Sequence, residues 1–132
     1  MVRASLKICA LCLVLPAMHA IAAGTVQETR HELMEESKEA AKPVGGMLKG
    51  ELDFDAAVAM ESFRTWAKVA SEFGALFPEG SETGFDTEAK STIWTDREGF
   101  DEQLKLFAGA ADAAIVANPQ SLEDLKKAAG PV

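Results

Sequence analysis

Beyond residue 22 the apolar side chains return at steps of three and four, and no segment alternates apolar with polar residues as a half-buried strand would. That periodicity commits the chain to helices. The first spans about Thr25 to Leu48, with Val26, Leu33, Met34, Ala41 and Val44 near one stripe and Glu28, Glu32, Glu35, Glu36, Lys38 and Glu39 opposite. Pro43 should kink it, and Gly45-Gly46 should loosen the turn that follows. The second opens near Asp53 or Asp55, either of which can cap exposed amides, and presents Phe63, Trp66, Val69, Ala70 and Phe73. A Gly-, Pro-, Ser-, Thr- and Glu-rich loop follows over about 77–91. Phe100, Leu104, Phe107, Ala111 and Ala114 mark the third helix, which Asn118-Pro119 stops. The fourth starts at Ser121, with Asp124 placed as in a capping box, and carries Leu122, Leu125 and Ala129 before Gly130-Pro131-Val132. Three long amphipathic helices and a short fourth predict an all-α, up-and-down four-helix bundle whose fourth helix is truncated.

The first 22 residues read as an address. Arg3 and Lys7 precede the apolar run Ile8–Leu15, Pro16 breaks it, and Ala20-Ile21-Ala22 supplies small residues at cleavage spacing. The run is about 8 residues, well short of the ~20 that span a bilayer. The expected organisation is a signal peptide over 1–22 and one helical domain over 23–132. Export to a bacterial periplasm then follows, with no membrane attachment after cleavage. Cys9 and Cys12 are the chain's two cysteines and leave with the signal, so the domain has no disulfide, thiolate metal site or Cys nucleophile.

Charge and residue inventory narrow the function. Against 13 Lys and Arg stand 21 Asp and Glu, a net charge of −8, which repels phosphate backbones and argues against nucleic acid. Removing Arg3 and Lys7 makes the balance more acidic still. His31 is the domain's one histidine. His31-Glu32 opens like a zinc-protease helix, but position 35 is Glu where a second His is needed, so a surface histidine is the expectation. Acidic pairs such as Glu35-Glu36 and Glu123-Asp124 read as solvated helix faces. No Gly-rich phosphate loop or nucleophile–base set is suggested, and nothing argues for an enzyme. On pattern alone Met34 is a core residue before it is a ligand, and Phe77 is core or a loop anchor.

Four blocks, in order, carry a resemblance that the periodicities do not supply. They are Arg30-His-Glu-Leu-Met34 continuing through Lys42–Asp55, then Phe73–Ser81 running into Thr83-Gly84, then Ile93–Phe107, then Ser121–Val132. The chain from about Thr25 to Val132 resembles the cytochrome c-prime family, including its low-spin relatives. The resemblance implies a periplasmic four-helix bundle carrying one covalent haem c. Arg30 and Met34 match an Arg and the residue four places on that lies over the distal haem face, and Phe77 matches an aromatic packed near the haem. In members with Met at that place the sulfur either binds iron as an axial ligand or covers the site. The two cases separate low-spin electron transfer from a five-coordinate, gas-binding haem.

One departure is plain. The family attaches haem through Cys-x-x-Cys-His on the fourth helix, and residues 121–132 hold neither Cys nor His. Covalent attachment is therefore not expected within 1–132. Two expectations stand. The first is a c-prime-type cytochrome given without its attachment segment, with a redox protein or small gas as partner and pairing into a homodimer open to it. The second is a haemless bundle that dimerises or grips a partner through an open groove. The abrupt end within a helix favours the first.

Overall fold

The structure, a computed structural model, describes residues 23–132, so the expected signal peptide lies outside the described residues. Its elements are α1 (Ala23–Lys49), α2 (Ala56–Phe73), a 3-10 turn (Gly74–Leu76), α3 (Thr92–Thr95), α4 (Arg97–Ala117) and α5 (Leu122–Ala129). No strand occurs among the described residues. α1 packs on α2, α2 packs on α4, and α5 lies against both α1 and α4, which closes a four-helix bundle of up-and-down connectivity. The four bundle helices hold 27, 18, 21 and 8 residues, so the short fourth helix expected from the sequence is present as such.

Each helix boundary has a local cause. α1 runs unbroken through Pro43 and past Gly45-Gly46 to Lys49. The glycine pair does not end the helix; its second member lets the returning chain come close. A Cβ on Gly46 would lie 2.8 Å from Leu52 Cδ1. The end itself is a Schellman motif. Gly50 takes φ 77°, and its N–H donates to the Met47 carbonyl at 3.1 Å. The Glu51 N–H reaches back to the Gly46 carbonyl at 2.9 Å. Of the two candidate caps for α2, Asp55 is the one used: its Oδ1 accepts from the N–H groups of Ala57 and Val58 at 2.8 and 3.1 Å. α4 ends at Asn118, left-handed at φ 44°, immediately before buried Pro119. Ser121 caps α5, accepting from the Asp124 N–H at 3.2 Å and donating to Asp124 Oδ2 at 2.8 Å.

The core follows the apolar stripes. Val44 and Met47 from α1, Phe63 and Trp66 from α2, Ala111 and Ala114 from α4, and Leu125 from α5 form one buried cluster. Alanines at 111 and 114 remove bulk where α4 meets its neighbours. The Trp66 indole N–H donates to the Ser37 carbonyl at 3.1 Å, so the ring is both packed and satisfied. Glu36 pairs with Lys68 across α1 and α2 at 2.7 Å, while Glu35–Lys38 and Glu123–Lys126 pair along their own helices. All are solvent-exposed and of small energetic weight, as solvated acidic faces should be.

Two outcomes test this account. Phe63→Ala empties a fully buried site and should cost about 3–5 kcal/mol in denaturant unfolding. Val116→Ser, at a position 85% exposed, should stay within about 0.5 kcal/mol. At α5, the Ser121 hydroxyl and then the Gln120 N–H hold the Asp124 carboxyl below its ordinary value. That contribution to stability is present above the unfolded carboxylate pKa and is lost as pH falls through the lower folded one. Ser121→Ala should therefore flatten the acid limb of a stability–pH curve; an unchanged limb would remove this cap from the account.

Candidate functional site

The site grows from one face of α1. Gln27, Arg30 and Met34 recur at steps of three and four, so they share a face, and it points at the 77–91 loop rather than at α2. Arg30 is 5% exposed. Its Nε donates to the Leu76 carbonyl at 2.7 Å, and its Nη2 donates to the Ser81 carbonyl at 3.0 Å and to Ser81 Oγ. The guanidinium lies 4.3 Å from the centre of the Phe77 ring and 5.5 Å from that of Trp94. Burial pulls its pKa below the ordinary arginine value, with the Glu82 charge opposing, yet it stays protonated. Its third nitrogen, Nη1, is buried and has no hydrogen-bond partner among the described residues.

Gln27 works beside it. Its Nε2 donates to the Ser81 carbonyl at 3.2 Å and to the Thr83 carbonyl. Ser81 is buried, and its own hydroxyl donates a hydrogen bond to the Pro78 carbonyl at 2.7 Å. From the other side, the Trp94 indole N–H donates to the same Pro78 carbonyl at 3.0 Å. Arg97 at the start of α4 donates to the Gly74 and Phe77 carbonyls at 2.7 and 3.3 Å. Backbone carbonyls that a loop would otherwise give to water are thus taken by side chains of α1, α3 and α4.

Phe77 sits at the centre of this clamp. Its buried ring meets Phe73, Trp94 and Phe100 edge-on, with centroids 5.1, 5.5 and 4.9 Å away. It anchors the loop, as its sequence position suggested, and also lines the space beyond. That space is an open cleft of about 830 Å³ between α1, the end of α2 and the segment 85–93. Arg30, His31 and Met34 reach it from α1, Phe73 and Phe77 from below, and Phe85 from the loop. Its volume falls within the ~300–1,000 Å³ usual for small-molecule and cofactor sites.

The expectation that Met34 is core needs correction. It is 51% exposed and lines the cleft, because it lies on the face of α1 shared with Gln27 and Arg30 and not on the face that buries Leu33. Periodicity assigned it to the apolar stripe, and a stripe does not say what faces it. Ala41 from the same expected stripe is also exposed. His31 is exposed, as expected, at the cleft wall. Gln27, Ser81 and Trp94 were not singled out for the site. The one available signal was Gln27 standing three residues before Arg30; its acceptors lie more than fifty residues away, beyond any local pattern. Among the described residues no group of His, Cys, Asp or Glu is arranged to hold a metal ion.

A four-helix bundle with a ligand-sized cleft, walled by aromatics and by a buried cation, is an architecture suited to a cofactor-carrying bundle protein. The comparisons name the kind. The profile of the family described as Cytochrome C' matches residues 25–132, and the chain belongs to that family. A cytochrome c' of Rhodopseudomonas palustris is 41% identical over 101 residues, covering 76% of this chain and 69% of that protein. A cytochrome c-556 of the same organism is 28% identical over 124 residues, covering 91% of this chain and 83% of its own length. The solved cytochrome c' of R. palustris superposes with a TM-score of 0.78 at 38% identity, over 81% of this chain and 85% of that one. Membership places the chain among c-type cytochromes, and haem c is the group that the class implies.

Ser81→Ala tests the clamp. It deletes the hydroxyl that takes a hydrogen bond from a charged donor and gives one to Pro78, and should cost about 1.5–3 kcal/mol of stability. Amide exchange should quicken over 78–87 and stay unchanged in the α2 core.

Proposed function

We propose that this protein is an exported c-type cytochrome whose haem occupies the cleft above Phe77, serving single-electron transfer or small-gas binding at the iron. The observation that carries the reading is that Arg30 and Met34 meet on one cleft in complementary condition. Arg30 brings a buried cation to the cleft wall, with one nitrogen lacking a partner, and Met34 brings a half-exposed side chain. A haem has two anionic carboxylates and an iron that accepts thioether ligation, so both groups suit it. The aromatic floor of Phe73 and Phe77 suits the flat apolar macrocycle. When bound, the haem supplies a one-electron couple, or a coordination position for a small gas.

The chain's own residues have definite tasks in this reading. Arg30 holds an anionic edge, and it is fixed for that by its bonds to Leu76 and Ser81. Met34 would hold the iron through its sulfur or cover the site. Phe77 fixes the loop that completes the wall. Covalent attachment through two thioethers has no cysteine to use within 23–132, so attachment depends on residues outside that range. The signal-like segment 1–22 supports a periplasmic location, with 23–132 as a single domain. Among the described residues no helix is long and apolar enough to cross a membrane. The acidic balance suits a basic redox partner, and pairing with a second copy is a further expectation.

Intact mass and the visible spectrum of the protein purified from its own periplasm test the reading. A Soret band, with a mass exceeding the polypeptide by a haem, is the expected result. Polypeptide mass alone with no Soret band overturns it. In the haem-carrying form, Met34→Leu should turn a low-spin spectrum high-spin if sulfur binds iron. An unchanged spectrum removes Met34 as a ligand and leaves it as cover.

A further inference from the structure

The loop over the cleft contains one residue in a conformation its side chain disfavours. Gly84, Phe85 and Asp86 take φ of 96°, 48° and 46° in succession. The Thr87 N–H closes the turn on the Gly84 carbonyl at 3.1 Å. Positive φ at both central positions is the mark of a type I′ turn, which favours Asn-Gly. Gly84 and Asp86 adopt it readily, but for a bulky aromatic it is a genuine outlier.

Such strain persists only where the surroundings hold it, and here they do. Gln27 and Arg30 fix the base of the turn through Ser81 and Thr83. Ala89 N–H reaches Thr87 Oγ1 at 3.3 Å on the far side. What the strained residue lacks is burial. Phe85 is 53% exposed and stands outside the aromatic group of Phe73, Phe77, Trp94 and Phe100. The turn spends its strain on holding an aromatic ring at the mouth of the cleft, where its own fold gives the ring little to pack against.

We infer that the Gly84–Thr87 turn is a flap and that Phe85 is its closing residue, packing over a flat apolar group in the cleft and screening the cleft from solvent and from free small molecules. The inference deepens the proposed function and rests on the cleft being a cofactor site. Phe85 takes no part in iron chemistry; it acts on exchange between the cleft and solvent. The Gln27–Thr83 bond keeps the flap hinged at a fixed distance from α1.

The test uses anilinonaphthalene sulfonate, a flat apolar probe with one anionic group, and the chain comprising residues 23–132. Its release is followed by stopped-flow displacement for wild type, Phe85→Ala, Phe85→Gly and the control Leu106→Ala, an exposed position outside the cleft. Release should be at least tenfold faster from both Phe85 variants and unchanged in the control. Phe85→Gly should also melt at a higher temperature than Phe85→Ala, because glycine alone relieves the backbone. Equal release rates across the set, or no probe binding by any form, overturn the flap. The haem reading is judged separately, on mass and Soret band. A haem-bearing native protein with equal probe release would sink the flap and leave that reading standing.

Discussion

The buried guanidinium of Arg30 is the interaction on which the rest of the site depends. The bundle's helices would pack without it, since Phe63, Met47, Trp66 and Leu125 form the core elsewhere. The long segment between α2 and α4 would not hold its course. It buries Phe77 and Ser81, and its other residues are largely exposed, so its place is set by hydrogen bonds rather than by apolar area. Arg30 supplies three of them and lays its planar face near Phe77 and Trp94. A lysine could not do this, because one ammonium cannot serve divergent carbonyls and stack on a ring at once. Removing a buried charge from water is costly, and the carbonyl and hydroxyl acceptors around it offset part of that cost.

α1 thereby serves two neighbours. Leu33, Val44 and Met47 bury one side of it. Gln27, Arg30 and Met34 occupy the side that meets the loop and the cleft. A single long helix thus sets the distance between the bundle core and the site, and Gly46 lets its far end turn back tightly beneath Leu52. Arg97 and Trp94 secure the opposite margin from α3 and α4, so three elements converge on Phe77 and its neighbouring carbonyls.

How much of this was legible follows from how far each determinant reaches along the chain. Asp55, Asn118 and Ser121 act within four residues of themselves, and their roles stand in the sequence. The helical stripes act over a few turns and give the bundle. Met34 was misassigned because a stripe identifies a face and not its neighbour. Gly45-Gly46 was taken as a weak point because its use depends on Leu52, which the pattern of α1 does not contain. The one-turn helix α3 is too short for any period to mark. Gln27 and Ser81 were missed since their partners lie over fifty residues apart. Arg30, Met34 and Phe77 came from family resemblance, a source that states a role without giving its geometry.

Three locally unfavourable features remain, and their common location is informative. A buried donor without a partner costs about 1–3 kcal/mol, a left-handed aromatic is strained, and an exposed methionine on an apolar stripe forgoes burial. Any one of them alone is unremarkable in a folded domain. Arg30, Phe85 and Met34 all border the same cleft, while Phe63, Met47 and Leu125 are fully buried in the core and Trp66 is satisfied there. Local rules fail together where a structure is shaped for something other than its own stability. The three deficits also differ in kind: one calls for an acceptor, one for a flat apolar surface, and one for a soft electrophile or an apolar cover. A single flat group with anionic edges and a metal at its centre would offer all three kinds of partner.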